Sequence, residues 1–207
     1  MELEVLRAGA PTPLLSRTAE ERMGIRHREI LDQLEELFLH RGFASATIGD
    51  IAAEIGCSRR TLYEIASSKE QLVLIVLDRF LHKKGRAALD SINPEDDLIV
   101  QLRRYIVGGI EFHLERTLFE DLSDDAPARR LLDRHFRFVM TVFQRLVSLG
   151  IERGDFREVN PAIVAGAVAG STLFMSQPEI IDDIGLDLRT IVTELLDYLL
   201  PALVDAP

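Results

Sequence analysis

Apolar residues recur at helical spacing through almost every segment of the chain, in the period of a helix face and not in the alternation of a strand. Ile48, Ile51, Ala52 and Ile55 keep that spacing, as do Ile191, Leu195, Tyr198 and Leu199 with Leu188, Val192, Leu196 and Leu200 beside them. The punctuation between these runs predicts nine helices. The first spans about Arg26 to Arg41, the second follows Thr47, and the third follows Ser58. Ser68 with Gln71 opens a long fourth helix reaching about Leu89. Asn93-Pro94-Glu95-Asp96 supplies a cap, a first-turn proline and acids, and so predicts the start of a fifth helix running to about Leu114. A short sixth covers Thr117 to Leu122, and a seventh runs from the break at Asp124 to Pro127 as far as Arg153, where Gly154 stops it. Asn160-Pro161 opens an eighth, rich in small residues, and Asp187 opens a ninth ending near Leu203. Residues 1–22, with Pro11 and Pro13, read as an extension with little core of its own.

The segment Thr47 to Tyr63 reads as helix, tight turn, helix. Thr47 and Asp50 have capping-box spacing. Gly56 tolerates the left-handed backbone of an abrupt helix exit, and Ser58 can cap a second helix that carries Arg59, Arg60, Thr61 and Tyr63 outward with Leu62 inward. Two helices joined by so short a turn set the second into a DNA major groove, with its N-terminal side chains on base edges. Thr47 and Lys69, each at a helix N-terminus, are candidates for phosphate, because free amides and the positive end of the helix dipole favour an anion. Arg59 and Arg60 are candidates for base edges, since a guanidinium bonds guanine bidentately. The sequence leaves open which of the two reads a base. Arg17, Arg22 and Arg26 either reach a neighbouring minor groove or belong to a packed or disordered arm.

Composition narrows the class. A chain of 207 residues with 47% hydrophobic content has enough to bury one sizeable core, or a small domain attached to a larger one. The longest continuous apolar run, Leu72 to Leu77, is too short to cross a membrane, and residues 1–22 lack the pattern of a secretory signal. One cysteine forms no internal disulfide, so a cytoplasmic location is expected, with Cys57 a small core residue rather than a redox switch. The net charge of −10 is uneven: residues 23–85 carry nine cations and nine anions, whereas residues 86–207 carry twelve and twenty-one. A neutral reading segment on an acidic remainder favours docking on DNA by one end only.

The flanks of the turn carry a resemblance. Arg28-Glu29-Ile30-Leu31, Leu34, Leu37, Phe38, Gly42, Phe43 and Thr47 precede it, and Leu62-Tyr63 with Ser68-Lys69-Glu70-Gln71-Leu72 closes it. Over roughly residues 26–80 this pattern closely resembles the N-terminal domain of the TetR family of transcriptional repressors. It departs at Ile65 and Ala66, where many members carry a histidine and an aromatic residue, and at Cys57, where an aliphatic residue is usual. The resemblance implies an all-α fold: an extension (1–22), a three-helix DNA-binding domain (23–70) and a larger C-terminal helical domain for ligand binding and dimerisation (71–207). It implies DNA contacts from Thr47, Ser58, Arg59, Arg60, Thr61, Tyr63 and Lys69, with the Tyr63 hydroxyl on backbone phosphate. It also implies a homodimer through the last two helices, which agrees with an apolar stripe too wide for one side of a small domain and with small residues that admit a close neighbour; the alternative for these helices is an intramolecular core.

The expected function is a transcriptional regulator, a repressor, that binds a palindromic double-stranded DNA operator as a homodimer and is released by a small apolar or amphipathic molecule. A sensor would lie within residues 90–186, where Phe112, His113, Phe119, His135, Phe138, Phe143 and Phe174, with Met140 and Met175, suit an interhelical pocket. Each of these residues also suits an ordinary core. Gly108 and Gly109 admit either close helix packing or a ligand. The alternative is a DNA-binding regulator or adaptor with no small-molecule ligand, controlled by a protein partner or by its own concentration. An enzyme, a cofactor and a metal are not expected: the five histidines show no ligand spacing, and no nucleophile–base pair or glycine-rich phosphate loop is present.

Overall fold

Several helices start where a side chain satisfies the first free amides, the side chains of Ser16, Thr47, Ser58, Asn160 and Asp187 each accepting from one or two of them. The computed structural model describes residues 3–109 and 116–204, which are helical with no strand among them. In chain order the helices are α1 (Leu3–Ala8), α2 (Arg17–Arg22), α3 (Ile25–Arg41), α4 (Ile48–Ile55), α5 (Arg59–Ile65) and α6 (Lys69–Asp90). They continue with α7 (Leu98–Gly109), α8 (Arg116–Asp124), α9 (Ala126–Arg153), α10 (Pro161–Met175), α11 (Pro178–Ile184) and α12 (Leu188–Leu199), the last running into a 3-10 turn over Leu200–Leu203. Asn160 and Asp187 cap α10 and α12 as their sequence positions predict.

Two expectations are corrected. Helix α7 begins at Leu98, not at Asn93. The Asn93 side chain accepts from the Glu95 amide and donates to Asp96, and so closes a turn instead of a helix, while Gln101 Nε2 donates to the Asp96 carbonyl at 2.7 Å. The second capping box is staggered: Ser68 Oγ accepts from the Gln71 amide, but the Gln71 side chain accepts from Ser67. Residues 1–22 form α1 and α2 and, as expected, have little core of their own, with Leu6 the one buried residue among those described. Helix α11 was not anticipated.

The chain divides into two compact units. The first consists of the described residues of 12–83 and 114–133, the second of those of 1–11, 84–113 and 134–207. In the first, Ile30, Leu31, Leu34 and Phe38 of α3, Ile51 of α4 and Leu62 of α5 are buried together with Leu118 and Leu122 of α8. Full burial of a side chain such as Leu62 stabilises by about 1.5–3 kcal/mol. Arg79 of α6 ties α2 to α3, reaching Glu20 at 2.7 Å, Asp32 at 2.8 Å and Glu35 at 3.0 Å. Leu14 donates its amide to buried Asp78 of α6.

In the second unit one core joins Leu6, Leu102, Tyr105, Phe143, Leu146 and Leu196, among others. Burial pushes the Tyr105 hydroxyl above its ordinary range. Gly108 serves close packing: a Cβ there would stand 2.6 Å from Ser91 Oγ, which itself donates to the carbonyls of Ala88 and Arg104. No helix among the described residues is long and apolar enough to cross a membrane.

Candidate nucleic-acid interface

Helix α4 starts on a complete capping box. Thr47 Oγ1 accepts from the Asp50 amide, and Asp50 Oδ2 accepts from the Thr47 amide at 2.9 Å and from its hydroxyl at 2.6 Å. The bonds from Thr47, side chain first and backbone second, hold the Asp50 carboxyl below the usual aspartate range, and the charge of Arg59 adds to them. At the other end Gly56 adopts φ 69°, ψ 41°, and the amides of Gly56 and Cys57 return to the carbonyls of Ala53 and Ala52. This paired closure lets α5 leave in a new direction after one residue in the left-handed region. Burial pushes the Cys57 thiol up, away from reactivity.

Ser58 caps α5 by accepting from the Thr61 amide at 3.1 Å, and the two hydroxyls share a bond of 2.8 Å. Both candidate contacts are thus engaged in holding the helix start. Arg59 and Arg60 differ. The Arg59 guanidinium lies over Gly49, where a Cβ would meet its Nη2 at 2.5 Å, so it rests against α4 beside Asp50. Arg60 is 90% exposed and touches Glu64 at 3.3 Å. An exposed pair of that kind contributes little and is easily exchanged for another acceptor.

Beside these helices is an open concavity lined by residues 44–48, Tyr63 and residues 67–70. It gathers Thr47, Tyr63 and Lys69, which are separated in sequence. Tyr63 is half exposed, and Lys69 Nζ donates to the Ala44 carbonyl at 3.0 Å. Glu70, next to Lys69, is held below the usual glutamate range by bonds from its own amide and from Ser68. Among the proposed arm residues, Arg17 pairs with Glu21 and Arg26 with Glu29.

One contact was not foreseen. Asp121 of α8 accepts the amides of Phe43 and Ala44 through a single oxygen. Nothing local in the sequence signals a bond across so many residues.

Of the described candidate ligand residues, Phe138 and Phe143 share one core. His135 and Phe143 of α9 are buried, Phe138 packs on the second unit's core, and Phe174 of α10 is 53% exposed. Phe112, His113 and the Phe119 side chain lie outside the described residues.

Residues 30–76 match the family described as bacterial regulatory proteins, tetR family. The chain is 25% identical over 154 residues to the HTH-type transcriptional regulator YfiR of Bacillus subtilis (strain 168), covering 70% of this chain and 75% of that protein. The matched segment, which contains the helix-turn-helix, is similar to the N-terminal segment of tetR-family regulators. The fold of the chain is similar to that of a tetR-family regulatory protein from Rhodococcus RHA1, with a TM-score of 0.66 at 19% identity, covering 89% of this chain and all of that one. It is also similar to a putative transcriptional regulator from Saccharomonospora viridis in complex with choline, with a TM-score of 0.71 at 18% identity, covering 87% and 98%.

Proposed function

We propose that this chain is a TetR-family transcriptional regulator, a cytoplasmic repressor that binds a palindromic operator as a homodimer and is released by a small apolar or amphipathic molecule. DNA recognition is assigned to residues 23–70, and regulation and dimerisation to residues 71–207. The observation that carries the reading is the concavity joining Thr47, Tyr63 and Lys69 beside the exposed guanidinium of Arg60. Phosphate in the concavity would fix the register, and Arg60 would then be free to exchange Glu64 for a base edge. Arg59 follows if phosphate draws it from Asp50. Ser58 and Thr61 hold the start of the recognition helix.

Dimerisation is supported by apolar surface on α10 and α12. Ile163, Ala167, Gly170 and Phe174 are exposed at helical spacing along α10, and Tyr198 of α12 is 79% exposed. Leu188, Ile191, Val192 and Leu196 are buried within the subunit. Exposed Tyr198 and half-buried Leu195 of α12 remain for a partner, while Leu199 packs on the subunit's own core, and a twofold pairing matches two half-sites.

A putative regulator of this fold in complex with choline, a small quaternary ammonium cation, supports a small-molecule ligand for this chain. The close burial of His135 and Phe143 favours a second reading, in which a protein partner or concentration sets activity. Selection of bound fragments from sheared genomic DNA tests the core of the proposal: a reproducible palindrome is expected, and enrichment of no sequence would refute it. Titrating a ligand suggested by the neighbouring genes, with and without the operator, separates the two readings. Release requires operator and ligand to weaken one another by the same factor, roughly 5- to 150-fold.

A further inference from the structure

The turn between α3 and α4 lines the concavity, and it is held from outside the helix-turn-helix. Both the Phe43 and the Ala44 amides donate to Asp121 Oδ2, the latter at 2.8 Å, and the Ala44 carbonyl accepts from Lys69 Nζ at 3.0 Å. Ala44 is therefore fixed on one side by a carboxylate and on the other by the ammonium that the proposed function assigns to phosphate. Thr47, three residues on, caps α4. Asp121 is itself fixed, because Leu118 and Leu122 of the same helix are buried and α8 packs on α3. A carboxylate that accepts two backbone amides is a strong and directional tether.

We infer that Asp121 is a positioning residue for DNA binding: by clamping the Phe43–Ala44 turn it sets where Lys69 and the α4 N-terminus meet phosphate. The inference rests on the DNA-binding reading. Simple electrostatics makes the opposite prediction, since removing an anion near a phosphate site should tighten binding whatever replaces it. The two amides converge on one oxygen, so Asp121→Asn keeps an acceptor for both without the charge, whereas Asp121→Ala keeps none.

The experiment compares full-length wild type, Asp121→Asn and Asp121→Ala by fluorescence anisotropy on a selected operator and on random duplex. Hydrogen exchange of the peptide covering residues 42–47 is followed in parallel. The expected result is that Asn binds as the wild type does, while Ala binds all duplexes roughly tenfold more weakly and exchanges faster in that peptide. Binding by Ala as tight as that of the wild type overturns the inference, and so does an Asn variant weakened as much as Ala. If Ala fails to fold, the wild type decides through exchange: the Phe43 and Ala44 amides must be protected, and rapid exchange of both overturns the clamp. A wild type that prefers no fragment refutes the DNA reading itself, an outcome distinct from the failure of the clamp alone.

Discussion

At the scale of single residues, the reading unit depends on side chains that finish helices. Asp50 is the clearest case, because it closes the capping box and its folded-state carboxyl is held below the ordinary value of 3.8. A depressed carboxylate contributes stability that is fully present above the unfolded value and is lost as pH falls through the folded value. Asp50→Asn should therefore melt below the wild type near neutral pH, and the two melting curves should converge in acid. A gap that persists at pH values below the folded value would assign the effect to packing. Thr47, Gly56 and Ser58 were legible from sequence because capping is local: donor and acceptor lie within three or four residues. Asp121 was not, since its partners are supplied by the fold, and neither was the difference between Arg59 and Arg60, which depends on Arg59 lying across Gly49.

At the scale of elements, the ion network around Arg79 joins α2, α3 and α6. Glu35 is 8% exposed, and its two oxygens are taken by Arg79 and Lys83, each at 3.0 Å. Removing one partner leaves a buried charge short of compensation, so Arg79→Ala should cost about 3 kcal/mol in urea denaturation. Asp32, 61% exposed in the same network, should cost well under 1 kcal/mol when changed to alanine. Equal costs would mean that the network acts as solvated surface. These contacts also explain where the sequence reading fell short among the helices. The starts of α4 and α5 are written in adjacent residues, whereas α1 and α2 are supported by Leu6 in the second unit's core and by Glu20 on Arg79. Asn93 and Pro94 carry the signature of a helix start, yet Gln101 bonds the carbonyls of Pro94 and Asp96, and the helix begins later.

At the scale of the whole molecule, the proposal requires two subunits and one operator. Tyr198→Glu combined with Ile163→Glu adds charge at exposed positions and should leave each subunit folded. Light scattering should then report a monomer where the wild type is a dimer, and operator affinity should fall with it; an intact dimer would move the interface elsewhere. The zero net charge of residues 23–85 against the acidic remainder makes binding depend on a few well-placed cations, not on a general field. The most direct test of the account is anisotropy titration of the selected operator and random duplex across salt concentrations, for wild type, Arg60→Ala and Lys69→Ala. The wild type should prefer the operator, with log K falling by roughly 0.9 per phosphate contact for each log unit of salt. Lys69→Ala should weaken both duplexes alike and flatten that slope, while Arg60→Ala should mainly erode the preference. A wild type that binds operator and random duplex equally at moderate salt would contradict the account.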